Sequence, residues 1–350
     1  MFEELVVLDL STVLAGPSVA TFFVELGAKV IKIEHPELGD VTRTWRIPGE
    51  SHEVTSYFSS INYGKDYVRK DLSQAPDFAW FMDELKRVDV LIMNFKPSDY
   101  TKFNLSKEAL LAINPRLIIG SISGFGDDSD RIAYDLILQA ETGFMSMNGE
   151  EHQPPLKMPV AFIDVLAAHH LKEGLLLALM NLQKTGKGAW VTVSLYDAAV
   201  ASLVNQASAY LMNGFIPKRM GSLHPNIAPY GEVFTTKDHK LLTFAIGSNR
   251  QFQALCAVLQ CTELADDPRY LSNEARVRHR SNLLSDLAPF ISRMDAEPLE
   301  ALCHEHHIPI GIIKSLDEVF RSPNATALIR HELQGTTHTK RMSQLVIKWK

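Results

Sequence analysis

Residues 4–36 set the tightest limit on the fold. "ELVVLDLS" is a compact apolar run that ends in polar residues, which is the pattern of a buried strand. "AGPSVATFFVELGA" follows, with Pro17 placed for the first turn of a helix and Gly27 for its end, and "KVIKIEHP" is a second apolar run. A strand, a helix and a strand in so short a span make a βαβ unit, whose two strands pair in parallel. The alternation recurs in "DFAWFMDELKRV" before "DVLIMNF", and in "SKEALLAINP" before "RLIIGSISGFG". Repetition of this kind predicts an α/β chain with a doubly wound parallel sheet. Ligands of such sheets bind beyond the carboxyl ends of the strands, here "STVLAGPS", "IEHPELGD", "MNFKPSD" and "SISGFGDD".

Further along, Leu171, Leu175, Leu179 and Leu182 recur at helical spacing, which predicts a long helix over 164–184. The turn "KTGKG", a strand in "AWVTVSL" and one helix over "YDAAVASLVNQASAYLMNG" come next. Around "IPKRMGSLHPNIAPYG" the composition shifts to Pro, Gly and Asn, which marks a boundary or a functional loop. "EVFTTKDHKLLTFAIGS" reads as a hairpin with Asp238 and His239 in its turn, and helical segments run on to about residue 306. A chain of 350 residues suits one large domain and a smaller one. The boundaries expected are 1–205 for the large domain, with 325–350 returning to it, and 206–324 for linker and small domain.

The net charge of −6 argues against a nucleic-acid binder, and the basic end "KRMSQLVIKWK" is too short to reverse that. No apolar run reaches the ~18 residues that a membrane span needs. The start "MFEELVVLDLS" lacks a basic n-region, and three cysteines fit reduced thiols, so a cytoplasmic location is expected. "CHEHH" at 303–307 matches no zinc spacing, and no metal site is expected there. A dinucleotide reading of "LAGPS" fails for want of G-x-G-x-x-G, and neither a Walker A sequence nor a G-x-S-x-G elbow is present. Arg43, Lys65, Arg69, Lys70, Lys96, Lys102 and Arg131 fall near the predicted strand ends, where together they could hold phosphates.

One residue is anomalous. Asp164 stands alone among Val160, Ala161, Phe162, Ile163, Val165 and Leu166, where an ionised carboxylate is costly unless paired or solvated. An N-cap at the start of the long helix would explain it. The same surroundings would equally hold a carboxylate ready to act as a nucleophile.

Taken together, "VLDLSTVLAGPSVATFFVELGAKVIKIEHPELGDVTR", "NFKPSDYTKFNLSKEALLAINPRLIIGSISGFG", "AYDLILQAETG", "TGKGAWVTVSLYDAAVA", "GSLHPNIAPYGEVFTTKD" and "IPIGIIKSLDEV" resemble the family III CoA-transferases, nearly end to end. The resemblance implies a Rossmann-like large domain with a smaller inserted α+β domain, and an interlocked homodimer. It implies that Asp164, opening a helix shortly before the "TG-G" turn, attacks an acyl-CoA thioester, with the helix N-terminus keeping the carboxylate ionised. By the "NF-P" motif, Asn94, Phe95 and Lys96 would line the nucleotide, and Lys102 stands where Arg is frequent. Lys70 and Leu72 match a segment that contacts adenosine, and Tyr134 an aromatic near the pantetheine. The implied partners are an acyl-CoA and a small carboxylic acid, with CoA as substrate and product and no tightly bound cofactor. Leu14 replaces a Gln of the formyl-CoA branch and "GSLHPNIAPYG" replaces a glycine run, which points away from formate and oxalate. A related alternative is a 2-methylacyl-CoA racemase. Tyr134 before Asp135 breaks that group's "GHD" motif, so His169 or His170 would have to serve as the base. A CoA- or dinucleotide-binding protein without transferase chemistry is the alternative outside that superfamily.

Overall fold

The computed structural model describes residues 2–348, so Met1, Trp349 and Lys350, including the tip of the basic C-terminal stretch, lie outside the described residues. Two compact units are present. One takes the chain through Met145, Lys157–Ile216 and everything from Asn324 onward; the other takes Ser146–Leu156 and Pro217–Pro323.

The first unit is built on six strands: β1 (Val6–Asp9), β2 (Lys29–Glu34), β3 (Asp66–Arg69), β4 (Val90–Met93), β5 (Ile118–Ser123) and β6 (Ala189–Ser194). They lie in the order β3-β2-β1-β4-β5-β6, and every pairing is parallel. Between them run α1 (Ala15–Glu25), α2 (Ser56–Ile61), α3 (Ala75–Glu84), α4 (Pro97–Lys102), α5 (Lys107–Ile113), α6 (Asp135–Glu141), α7 (Phe144–Met147) and α8 (Phe162–Thr185). α9 (Leu195–Ala201) and α10 (Val204–Asn213) follow β6.

Alternate strand residues feed two apolar layers, as the two-residue period of a strand requires. Val7, Val90, Ile92 and Ile118 pack with α1, α8 and α9, while Leu8, Leu91, Met93 and Ile119 pack with α3 and α5. The sheet is therefore covered on both faces, and the expected α/β architecture is found.

Three details depart from the sequence reading. β3 was not anticipated, because "DYVR" is an edge strand with three of its four residues exposed and no apolar run to announce it. The helix expected over 196–214 is two helices, parted at Ser202–Leu203, with Val204 at a φ of +35°. Asp164 is not an N-cap: α8 starts two residues earlier, at Phe162.

In the second unit, β7 (Tyr230–Thr235), β8 (Leu241–Ala245) and β9 (Ile310–Ile312) form an antiparallel sheet, with Asp238 and His239 in the β7–β8 turn. Phe234, Phe244, Phe252, Leu287 and Leu299 belong to its own core.

The chain ends in a hairpin, β10 (Ile329–Gln334) and β11 (Thr337–Met342), whose β11 packs beside α2 in the first unit. Arg341 and Glu25 fasten it with a 2.6 Å ion pair that is almost fully buried. The guanidinium also stacks 3.9 Å from the Tyr63 ring centroid. Glu25 accepts further hydrogen bonds from Ser343 Oγ and from the amides of Gln344 and Leu345. Breaking a buried pair from one side leaves the other charge stranded. Arg341→Met is expected to lose about 3 kcal/mol or more of stability in urea unfolding; an unchanged midpoint would show that the return of the chain does not depend on this pair.

Candidate functional site

In this strand order the connections leave β1 and β4 toward opposite sides, which opens a crevice beyond their carboxyl ends. Two loops meet across it. The Thr12 amide donates to Asn94 Oδ1 at 3.1 Å, and Asn94 Nδ2 donates back to the Thr12 carbonyl at 3.0 Å. Between β1 and α1 the chain turns sharply. Val13 is held at a φ of +72°, a conformation that costs a β-branched residue about 1–3 kcal/mol. Gly16 is required just after it, since a Cβ there would overlap the Ser11 side chain.

A cleft of about 200 Å³ occupies this crevice. It is lined by Thr12–Ala15 from the first loop, Asn94–Pro97 from the second, Arg131–Tyr134 ahead of α6, and Asp164 on α8. α1 opens at Leu14 with no side-chain cap. Among the described residues the amides of Leu14, Ala15 and Gly16 have no acceptor, so the positive end of an eleven-residue helix meets the cleft.

Asp164 is the third residue of α8 and is 8% exposed. Among the described residues its carboxylate has no hydrogen-bond or ion-pair partner. The capping role belongs to another acid: the Ile163 amide donates to Asp135 Oδ1 at 2.7 Å, and Gln139 Nε2 donates to the other Asp135 oxygen. Burial, and then the charge of Asp135, push the Asp164 carboxyl up to about 7. This corrects the expectation that the helix N-terminus keeps Asp164 ionised. The α8 amide that a cap would satisfy is taken by Asp135, and that second acid works against ionisation. Tyr57 is pushed up to about 12, by burial first and then by the charges of Asp164, Asp135 and Asp40, so its phenol stays a neutral donor. Nothing in the sequence marks Tyr57, which sits in the short α2. Asp135 was visible only as a neighbour in a motif.

Of the residues expected to bind CoA, Asn94, Phe95, Lys96 and Tyr134 line the cleft with Asp164. Lys70 and Leu72 line an adjoining hollow that shares Thr12 and Phe95 with the cleft. Lys70 is engaged there by Asp77 at 2.8 Å and lies 5.2 Å from the Trp80 ring. Lys102 lines neither space; it is exposed, 4.9 Å from the ring of Phe103, which borders the hollow. Three of the cations grouped as phosphate candidates are committed elsewhere. Lys65 is buried on Asp9, Arg43 forks onto Glu34, and Arg69 donates to the Pro36 carbonyl. Arg131 does reach the cleft, braced by Glu141 at 2.7 Å and by the Phe125 ring. His169 and His170 are exposed on α8 and line no part of the cleft, and His170 turns toward Glu173 at 3.6 Å.

The raised Asp164 carboxyl makes stability depend on pH. Because the folded state holds this proton more tightly than the unfolded chain, the contribution of Asp164 is best below about pH 4. It declines as pH rises toward about 7, by roughly 4 kcal/mol at most. Asp164→Asn is therefore expected to raise Tm by several degrees at pH 8 and by almost nothing at pH 4. Equal Tm values for the two proteins at pH 8 would mean that the carboxylate is solvated or paired after all.

Comparison with known proteins bears on the whole chain. The family model described as CoA-transferase family III matches residues 2–349. The succinate–glutarate CoA-transferase of Agrobacterium fabrum is 36% identical over 330 residues, 92% of this chain and 82% of that protein. The acetyl-CoA:oxalate CoA-transferase of Acetobacter aceti is 34% identical, over 93% of this chain and 84% of its own. A CAIB/BAIF family protein from Brucella suis, solved by crystallography, superposes with a TM-score of 0.85 at 35% identity, covering 99% of this chain and 91% of that one. The chain belongs to CoA-transferase family III.

Proposed function

We propose that this CoA-transferase carries the acyl transfer on Asp164. The observation that supports this most directly is a carboxylate that is nearly buried, has no partner among the described residues, and faces the cleft at the sheet's switch point while another acid caps its helix. In its ionised form Asp164 attacks the carbonyl of an acyl-CoA thioester. The C–S bond breaks, CoA leaves as thiolate, and an acyl–aspartyl anhydride remains. The thiolate then attacks the aspartyl carbonyl, releasing the donor acid as a carboxylate and leaving an aspartyl-CoA thioester. The acceptor carboxylate attacks that thioester, and the thiolate returns to the new acyl carbonyl, which regenerates Asp164. Each addition places negative charge on a carbonyl oxygen, and the unpaired amides at the start of α1 supply donors for it. Burial keeps water from the anhydride.

CoA is substrate and product rather than a resident cofactor. Lys70, Leu72, Asn94, Phe95, Lys96 and Tyr134 are the residues assigned to it, with the adenosine toward the Lys70–Leu72 hollow and the pantetheine toward Tyr134; Lys102 is assigned to it from outside that hollow, beside Phe103. The relatives named for succinate, glutarate, mesaconate and D-citramalate act on acids with a second carboxylate. Arg131 gives the cleft a cation to receive one, and a dicarboxylic donor and acceptor are proposed. The working form is an interlocked homodimer in the cytoplasm. Leu211, Met212 and Ile216, strongly exposed at the end of α10 and just beyond it, supply apolar surface for such an interface.

Asp164→Ala is expected to lower turnover of succinyl-CoA with glutarate at least about a thousandfold, some 4 kcal/mol of barrier, while CoA still binds in calorimetry. Run in D₂O, the wild-type reaction leaves the α-carbon of the acyl group unlabelled, since transfer never breaks the α-C–H bond. Near-normal transfer by the variant would remove the covalent route, and rapid α-deuteration without an acceptor acid would favour a racemase.

A further inference from the structure

Beneath the cleft lies a group of four charged side chains with no solvent exposure, Asp9, Lys32, Asp40 and Lys65. Asp9 ends β1 and Lys32 lies on the neighbouring β2. Lys65 donates to Asp9 Oδ2 at 2.8 Å, to Asn62 Oδ1 at 2.9 Å and to the Pro17 carbonyl in the first turn of α1 at 3.0 Å. Lys32 is seated by Asp40 at 3.1 Å, with Asp9 at 3.8 Å, and Asp40 is itself fixed by the amide and hydroxyl of Thr42. So dense a set of buried ions is expensive to desolvate and is no default way of stabilising a sheet.

Two members of the group, Asp9 and Lys32, bond to the same residue. The Ser11 amide and hydroxyl donate to Asp9 Oδ1, and the Ser11 carbonyl accepts from Lys32 Nζ at 2.7 Å. That carbonyl belongs to the same peptide plane as the Thr12 amide, which donates to Asn94 Oδ1. The Ser11–Thr12 peptide is thus held at both ends by side chains from β2 and from the loop after β4. The next plane is held too, through the Thr12 carbonyl and Asn94 Nδ2. Directly beyond comes the strained Val13, and then the uncapped start of α1. Left to itself, a segment with a β-branched residue at positive φ would relax by rotating these planes.

We propose that Lys32 is a positioning residue: seated by Asp40 and Asp9, it grips the Ser11 carbonyl and so holds Thr12–Leu14 as the wall of the cleft that faces Asp164. The inference rests on Asp164 as the acyl carrier. Lys32 touches no reacting atom. It acts through the backbone, fixing where the Val13–Ala15 segment stands when charge develops on the substrate carbonyl.

The test is the double variant Lys32→Met/Asp40→Asn, which removes one charge of each sign and leaves the Asp9–Lys65 pair intact. Two readouts are taken, steady-state transfer and amide hydrogen exchange by mass spectrometry on the resting protein. The expected result is exchange at least tenfold faster at the Ser11 and Thr12 amides, the two of this segment that are hydrogen-bonded, with β4 and β5 unchanged, together with a kcat at least thirtyfold lower and a KM for acyl-CoA within about threefold of wild type. Asp40→Asn alone keeps Lys32 but removes its seat, so it shows the same two effects at smaller size and serves if the double variant unfolds. Wild-type kcat despite faster exchange, or a lost kcat with unchanged exchange, overturns the proposal. The exchange result is independent of Asp164, so if Asp164→Ala retained activity, the failure would lie with the acyl carrier and not with the grip on the loop.

Discussion

The proposed acyl transfer needs Asp164 as an available carboxylate in a place where carboxylates are costly, and the large unit supplies that place. The sheet order opens a crevice between β1 and β4, α8 brings Asp164 to it, and the apolar layer under α8 keeps the side chain nearly dry. A carboxylate in such a place is relieved in one of three ways: it finds a cation, it accepts backbone amides, or it takes a proton. The first is missing among the described residues, and the α8 amide at Ile163 is claimed by Asp135. A proton remains, which is why its carboxyl sits near 7 rather than in the usual carboxylate range. At neutral pH the group is therefore divided between a neutral acid and a desolvated anion, the form from which the proposed acyl transfer starts.

Several other buried charges of the same unit are handled in the opposite manner. Asp9, Lys32, Asp40 and Lys65 alternate in sign and are bonded to one another or to backbone carbonyls and amides. Burial pushes the Asp9 carboxyl up, but the two lysines and the hydrogen bonds from Lys65 and Ser11 outweigh it and hold it below the usual range. Glu25 and Arg341 repeat the pattern where the C-terminal hairpin returns. Paired charge fixes backbone here, whereas the Asp164 carboxylate stands unpaired at the cleft; Lys172, also buried and without an ion pair among the described residues, lies against the Phe22 ring instead. The contrast separates Asp9 and Asp40 from Asp164 more sharply than burial does, since Asp9 is more deeply buried than Asp164.

Much of this was legible in the chain before any coordinates. β1 and β4 announce themselves by continuous apolar runs because both faces of the sheet are covered, and β2, β5 and β6 by apolar residues interrupted by Lys32, by Gly120 and Ser121, and by Thr192. β3 and the β10–β11 hairpin do not, since their buried positions are filled by residues such as Thr337, Thr339 and Arg341, which carry no hydrophobic period. Asp164 stood out as an acid in an apolar run, yet its exact place on α8 did not. Capping depends on which acid reaches the free amide, and Asp135 lies 28 residues away in sequence. Cations near strand ends looked interchangeable on paper. Only packing distinguishes Lys65, sealed beneath the cleft, from Lys96, which lines it.

An oxygen-tracing measurement addresses the covalent role of Asp164 most directly. If the acceptor carboxylate attacks an aspartyl-CoA thioester, one of its oxygens becomes the bridging oxygen of the anhydride. When CoA thiolate then takes the acyl group, that oxygen stays on the aspartate. Turnover of succinyl-CoA with glutarate labelled in its carboxylates with oxygen-18, followed by proteolysis and mass spectrometry, should therefore place heavy oxygen in the side chain of Asp164 and in no other acid of the chain. Efficient transfer with an unlabelled Asp164 would contradict the account, because the acceptor would then have reached its thioester without ever being bonded to this residue.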